Sequence, residues 1–294
     1  MPDSISPSRP VGPDAFNIQA QARRVAETHA RRAGVEVREV EQMAELRAVS
    51  ELFESVWGRG PEGAPLHSEV LRSLVHAGGV VTGAYTAGGD LVGAAALTIG
   101  APAGSTYSLI AAAAPGRADA GIGQAVKLTQ RAWALDRGHR TMVWTFDPLV
   151  GRNARFNLVK LGGEATGYFE AFYGRMGDAL NGQDDADRLV ITWELDSARV
   201  IAASEGTAVD PGSPRTDAQP RREGPDGRPM VVQDASGTWC RIPRDVVSLR
   251  NEDPAGASAW RLAVRDVLTP ALRSGARPAH LSADGWYLLP EEKA

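Results

Sequence analysis

The chain has 294 residues, 43% of them hydrophobic, and a formal net charge of −4. That composition suits one large folded domain or a domain with a smaller companion, and the acidic balance argues against nucleic acid or an anionic membrane as the main partner. Cys240 is the only cysteine, so internal disulfides are excluded; with no membrane-length apolar run and no signal-type start, the cytoplasm is the expected location.

Residues 1–17 are rich in Pro, Ser and Gly and read as a frayed lead. Residues 18–33 are dominated by Ala, Arg, Gln and Glu and read as a polar helix, so 1–34 forms an N-terminal extension. Val35 to Val40 alternates apolar and polar, the mark of a half-buried strand. Met43, Leu46, Val49, Leu52, Phe53 and Val56 recur at helical steps over 41–57, and 66–77 repeats the pattern. Strands follow at 80–85 and 91–97 around a Gly88-Gly89-Asp90 turn, and at 107–113. A helix over 121–137 stops at Gly138. A strand at 141–146 leads to a helix at 152–161, closed by Gly162. Strands around 165–173 and 189–195 complete the order β-α-α-β-β-β-α-β-α-β-β within a first domain at 35–202.

Residues 203–229 are filled with Pro, Gly, Ser, Asp and Arg, the composition of a flexible linker. Residues 230–294 offer a strand near 239–242, a helix at about 254–274 and a strand at 286–289. So short a piece supplies a thin core. It is expected to be a small strand-helix-strand extension, packed on the first domain or on the second subunit of a homodimer. His29, His67, His76, His139 and His280 are scattered, so no zinc site is expected. Asp184, Asp185 and Asp187 lack the glutamate of a calcium loop and read as a solvated turn.

The most informative stretch runs from Ala113 to Ala125. It joins a strand of small residues to a helix beginning at Gly121-Ile122-Gly123. Glycine lets the backbone approach a ligand closely. The first amides of a helix lack internal partners, and with the helix dipole they can hold a pyrophosphate. A lone Gly-x-Gly also fits an ordinary strand-to-helix turn. The small-residue strand strengthens the ligand reading, and Lys127, one turn on, would face a phosphate or solvent. The place in the chain is not that of a dinucleotide fold, and no Gly-Lys-Ser/Thr is present.

At these residues the chain resembles the GNAT superfamily of acyltransferases. That family's signature, Arg/Gln-x-x-Gly-x-Gly/Ala, follows its fourth strand, and residues 35–196 carry its order of elements. The resemblance implies an α/β (α+β) fold, a mixed central sheet flanked by helices. It implies acyl-CoA, as acetyl-CoA or succinyl-CoA, as co-substrate, with no metal. By the same likeness Ala118, Asp119, Ala120, Gly121, Ile122, Gly123 and Gln124 wrap the pyrophosphate with backbone amides. The strand edge at Ala111 and Ala113 holds the pantetheine arm. Ala118 departs from the Arg or Gln of the signature, with Arg117 next door. Trp144 to Leu149 and Arg152 to Gly162 are similar to a subgroup described as predicted GNAT acyltransferases. So are Phe172-Tyr173-Gly174, Asp187-Arg188-Leu189, Trp193, Arg241-Ile242-Pro243 and Trp260-Arg261. Some enzymes that look similar pass a succinyl group to the amino group of amino acids.

GNAT chemistry is direct attack of an amine on a thioester, so the protein must align the two, take a proton and stabilise an oxyanion. Amides between Ala111 and Ala113 are candidate oxyanion donors. Many relatives place a tyrosine acid where this chain has Leu158. Asn153 heads the helix, where relatives use asparagine to touch the pantetheine or the leaving sulfur; a helix cap fits equally well. Asn157 lies one turn on, on the same face, and asparagine inside a helix is intrinsically unfavourable. Asn157 and Tyr173, a proton relay or a core aromatic, are the catalytic candidates. Asp147 before proline reads as a turn residue. Arg152, Arg155 and Arg188 are candidates for a substrate carboxylate, with Arg155 better read as a surface residue. The function expected is acyl-CoA-dependent N-acylation of a small-molecule amine. The rivals are a non-catalytic acyl-CoA binding module and a thioesterase-like hydrolase.

Overall fold

The structure is a computed structural model and describes residues 13–58, 65–100, 102–117, 119–174 and 185–290. Helix α1 (Pro13–Arg32) starts inside the stretch expected to fray; residues 1–12 lie outside the described residues. Ala22, Ala26 and Ala30, four residues apart, bury one face of α1. After α1 come β1 (Val35–Glu39), α2 (Met43–Trp57), α3 (Ser68–His76), β2 (Val80–Thr86), β3 (Leu91–Ile99), β4 (Ser105–Ala113), α4 (Ile122–Asp136) and β5 (Thr141–Phe146). The helix read at 152–161 is a short α5 (Gly151–Arg155) that widens into a π-helical turn at Phe156–Lys160. β6 (Glu164–Phe169) stops short of the expected 173, and β7 (Arg188–Glu194) follows.

The main sheet is mixed and seven-stranded, in the order β1-β2-β3-β4-β5-β7-β6. β4 and β5 are its parallel pair, and they pair only at Ser105–Tyr107 with Thr141–Val143. Beyond Tyr107 the two strands part. α2 and α3 cover one face through Leu46, Val49, Phe53 and Leu71. On the other face α4 and the α5 segment meet Met142, Trp144 and Phe146, the alternate inward residues of β5.

The C-terminal part is larger than a strand-helix-strand unit. It comprises α6 (Ala198–Glu205), β8 (Gln219–Glu223), β9 (Pro229–Asp234), β10 (Gly237–Arg241), α7 (Val246–Glu252), α8 (Pro254–Arg273), β11 (His280–Leu281) and β12 (Trp286–Leu289). The five strands form a second sheet, β11-β12-β10-β9-β8. The flexible linker expected at 203–229 is thereby corrected, since it begins inside α6 and contains β8. The sequence of β8, Gln-Pro-Arg-Arg-Glu, is exposed throughout and carries no apolar period. Its order comes from backbone pairing with β9. Around it Asp210 pairs with Arg155 at 3.1 Å, and the Arg215 amide donates to Asp234. The two sheets share one core, in which Trp144, Leu161 and Ile191 cluster with Ile242, Trp260, Val264 and Tyr287. No helix among the described residues is long and apolar enough to cross a membrane.

Candidate functional site

The start of α4 is set by two glycines. Gly121 takes a left-handed φ of 78° at the N-cap, which glycine adopts without strain. Gly93 on β3 leaves the room that the Ile122 side chain fills; a Cβ there would come within 2.4 Å of it. The first helical hydrogen bond runs from the Ala125 amide to the Gly121 carbonyl at 3.0 Å. The amides of Ile122, Gly123 and Gln124 therefore point out of the helix end. Ala120 does not join them, because its amide closes a turn onto the Arg117 carbonyl at 3.1 Å. Ala118 lies outside the described residues. Gln124 turns its side chain to the Lys160 carbonyl. Asp119 is exposed and pairs with Arg152 at 3.0 Å. That pairing puts Arg152 beside the cradle rather than with Arg188. Asn153 is exposed in the first turn of α5, and the cap position is Val150, so the capping role falls away.

The parting of β4 and β5 exposes one edge of β4. The Ala114 amide donates to Val92 of β3 at 2.9 Å. In an antiparallel ladder successive residues face opposite edges. Ala112, opposite Ala94, therefore also faces β3, while Ala111 and Ala113 turn their N–H and C=O groups to the open side. A bulge at Leu109, between Ile110 opposite Ala96 and Ser108 opposite Leu97, ends this register. Ala112 is thus removed from the oxyanion candidates, and Ala111 and Ala113 remain. Beneath the cleft Ser108 donates to the Gln130 side chain, which is fully buried.

On the outward face of the same strands sits a polar cluster. The Tyr107 phenol lies near Thr145, the Tyr173 phenol and Arg188. Burial raises the Tyr107 pKa, Tyr173 adds to the rise, and Thr145 and Arg188 oppose it. Tyr173 stands in the turn after β6, half exposed, with its ring 5.2 Å from the Arg188 guanidinium and stacked edge-on against Phe172. Tyr107 was legible only as a strand residue. What brings it to Tyr173 and Arg188 is strand order, with β7 between β5 and β6. The Gly182-to-Asp184 part of the loop before Arg188 lies outside the described residues.

Four expectations are corrected. Lys127 meets neither phosphate nor solvent; it is buried, with Nζ 3.7 Å from the Trp144 ring and 3.5 Å from Met142 Sδ. Burial pulls its pKa down to about 7. Asn157 is buried, and its Oδ1 accepts from Trp144 Nε1 at 3.2 Å, so that oxygen supports the core. Asp147 is not a mere turn residue. It accepts from the Leu149 amide, and it is gripped by Arg250 and Arg261, whose Nη2 is 2.9 Å away. Burial would raise its carboxyl, but Arg261 and then Arg250 hold it below its ordinary value. Asp187, expected in a solvated turn, is instead fully buried and receives Arg265 at 2.7 and 2.9 Å, the Tyr168 hydroxyl at 2.6 Å and the Ala171 amide at 3.0 Å. All three arginines come from α7 and α8. Among the described residues no group of His, Cys, Asp or Glu is placed to hold a metal.

No family model and no curated protein matches the chain. It is similar to the solved structure of a GNAT superfamily phosphinothricin acetyltransferase from Sinorhizobium meliloti, at 20% identity over 54% of this chain and 87% of that one, with a TM-score of 0.45. It is similar to a ribosomal-protein-S5-alanine acetyltransferase from Vibrio fischeri at 14% identity, over 56% and 94%, with a TM-score of 0.45. It is also similar to an acetyltransferase of the GNAT family from Streptococcus pneumoniae at 14% identity, over 54% and 98%, with a TM-score of 0.44.

Proposed function

We propose that the chain is an acyl-CoA-dependent N-acyltransferase of the GNAT type. It passes an acetyl or succinyl group to the amine of a small molecule, with amino acids as the first class to test. The observation that carries the reading is the parted β4–β5 pair ending at a glycine-capped helix start. A pantetheine arm laid along Ala111 and Ala113 would lead a pyrophosphate to the amides of Ile122, Gly123 and Gln124. The amine, placed from the Tyr173 and Arg188 side, attacks the thioester carbonyl directly. The new C–N bond forms, the C–S bond breaks, and the amine's proton passes to solvent. An amide at Ala111 or Ala113 is suited to the oxyanion. Tyr107, kept protonated by its raised pKa, can reach the departing thiolate through Tyr173.

Calorimetry with coenzyme A tests the cradle; no binding at millimolar concentration overturns the reading. Mass spectrometry of products from acetyl- and succinyl-CoA with mixed amino acids tests the chemistry. Y107F and Y173F should each lower kcat about a hundredfold with little change in coenzyme A affinity. The second reading, a non-catalytic acyl-CoA binding module, is favoured by one observation. Leu158 stands where relatives have a tyrosine acid, and it is buried in the core. Tight binding with no release of free thiol would select that reading, and thiol release without an amine would select a hydrolase.

A further inference from the structure

Helix α8 meets the proposed acceptor side of the cleft through Arg265. Arg265 lies on α8 and is mostly buried. Its Nε and Nη2 form a two-point bridge to Asp187, at 2.9 and 2.7 Å, and Nη2 also meets Asp185 at 3.1 Å. Its Nη1 lies 3.5 Å from Glu170. Through Asp187 the bridge continues to the Tyr168 hydroxyl and the Ala171 amide. Ala171 has a φ of 45°, a conformation that costs a non-glycine residue energy and persists only where its surroundings fix it. That strained turn carries Tyr173. On the other side of the same carboxylate, the carbonyl of Asp187 accepts from Arg188 Nη1 at 2.9 Å.

One buried carboxylate thus joins the two segments that form the acceptor side, and a planar guanidinium from the C-terminal part holds it by both oxygens. A lysine could not match this, because its ammonium is a point charge without the guanidinium's planar pair of parallel N–H donors. We infer that Arg265 is a positioning residue for acceptor binding: it fixes the Glu170–Tyr173 turn and the Arg188 corner through Asp187, so the C-terminal helix completes the acceptor half of the cleft. This rests on the acyltransferase reading only in its kinetic readout.

The test uses the full chain with Arg265→Ala and Arg265→Lys. R265A should raise the acceptor KM at least tenfold while kcat changes less and coenzyme A affinity stays within twofold. Added guanidinium at millimolar concentration should recover part of the loss, since the vacated site matches its shape. R265K should fall between. Amide exchange should rise at 168–174 and 187–188 in R265A and stay unchanged in β2 and β3. An unchanged KM and unchanged exchange would overturn the inference. So would a parallel loss of coenzyme A affinity, kcat and melting temperature, which would mark Arg265 as a support of the whole fold. If the wild-type chain transfers no acyl group, the acyltransferase reading has failed, and exchange at 168–174 alone decides the inference.

Discussion

The two sides of the cleft are built of different material. The proposed donor side is backbone: the open edge at Ala111 and Ala113 and the amides that begin α4. Its side chains are small, exposed as with Asp119, or turned into the core as with Ile122. The proposed acceptor side is made of side chains, Tyr107, Thr145, Tyr173 and Arg188. Asp187 braces it with Arg265, 78 residues along the chain, and Asp147 ties the same sheet to α8 through Arg261, 114 residues along. A backbone-built site depends on where the chain goes rather than on which side chains line it. A site built from braced side chains depends on every member of the brace.

The largest test of that difference is Asp147→Ala. Removing the carboxylate leaves Arg250 and Arg261 buried against each other's charge, and breaking a buried pair in this way costs about 3–5 kcal/mol. The melting temperature should fall steeply, and the C-terminal sheet should lose exchange protection before β2 and β3 do. Equal loss in both sheets would show that the two parts unfold as one unit.

Lys127 is the contrasting buried charge, on the donor-side helix, with no carboxylate partner among the described residues. Its pKa falls from an ordinary value of 10.5 to about 7 in the fold. Below pH 7 the ammonium is charged in both folded and unfolded chains, and its burial cost is present in full. As pH rises from 7 towards 10.5 the folded form is already neutral, so that cost is progressively relieved. Lys127→Met should therefore stabilise the protein by on the order of 3 kcal/mol at pH 7, with a gain that shrinks by pH 10. Denaturant melts of both proteins across that range check the sign; a gain that grew with pH would contradict it.

On the donor side, Gly123→Asp puts a carboxylate where the cradle would hold a phosphate. A Cβ at Gly123 meets only Phe156 at 3.8 Å, so the fold tolerates the change. Coenzyme A affinity should drop about a hundredfold from the added repulsion. The exchange pattern at Tyr173 and Arg188 should not move. A disturbed acceptor side would mean the two halves are coupled.

Local pattern made the strand and glycine-capped helix start of the proposed donor side legible in the sequence, because they follow one another along the chain. A small-residue strand, a glycine pair and a helix start are all neighbours between Ala111 and Gln124. The acceptor side was legible in pieces: Tyr173 and Arg188 were singled out, but Tyr107 was not. Nothing local marks Tyr107; it joins the cluster through the order of strands β5, β7 and β6. Asp147 looked like a turn residue because its partners, Arg250 and Arg261, lie more than 100 residues away. β8 was invisible for another reason. A fully exposed edge strand buries no side chain, so it leaves no alternation to read.

The smallest effect concerns Arg152, which the sequence placed with the substrate and the structure pairs with Asp119 across the cradle mouth. Both side chains are largely exposed, and exposed ion pairs contribute about 0–1 kcal/mol. Arg152→Ala should therefore leave stability nearly unchanged. It removes a cation close to the proposed phosphate site, so coenzyme A should bind about two- to threefold more weakly at low salt, and the difference should fade as salt screens the charge. Arg188→Ala should do the opposite, weakening the acceptor and sparing coenzyme A. If R152A instead raised the acceptor KM and left coenzyme A affinity alone, the side chain would belong to the acceptor half, and the division between a backbone-built donor side and a side-chain-built acceptor side would have to be redrawn at α5.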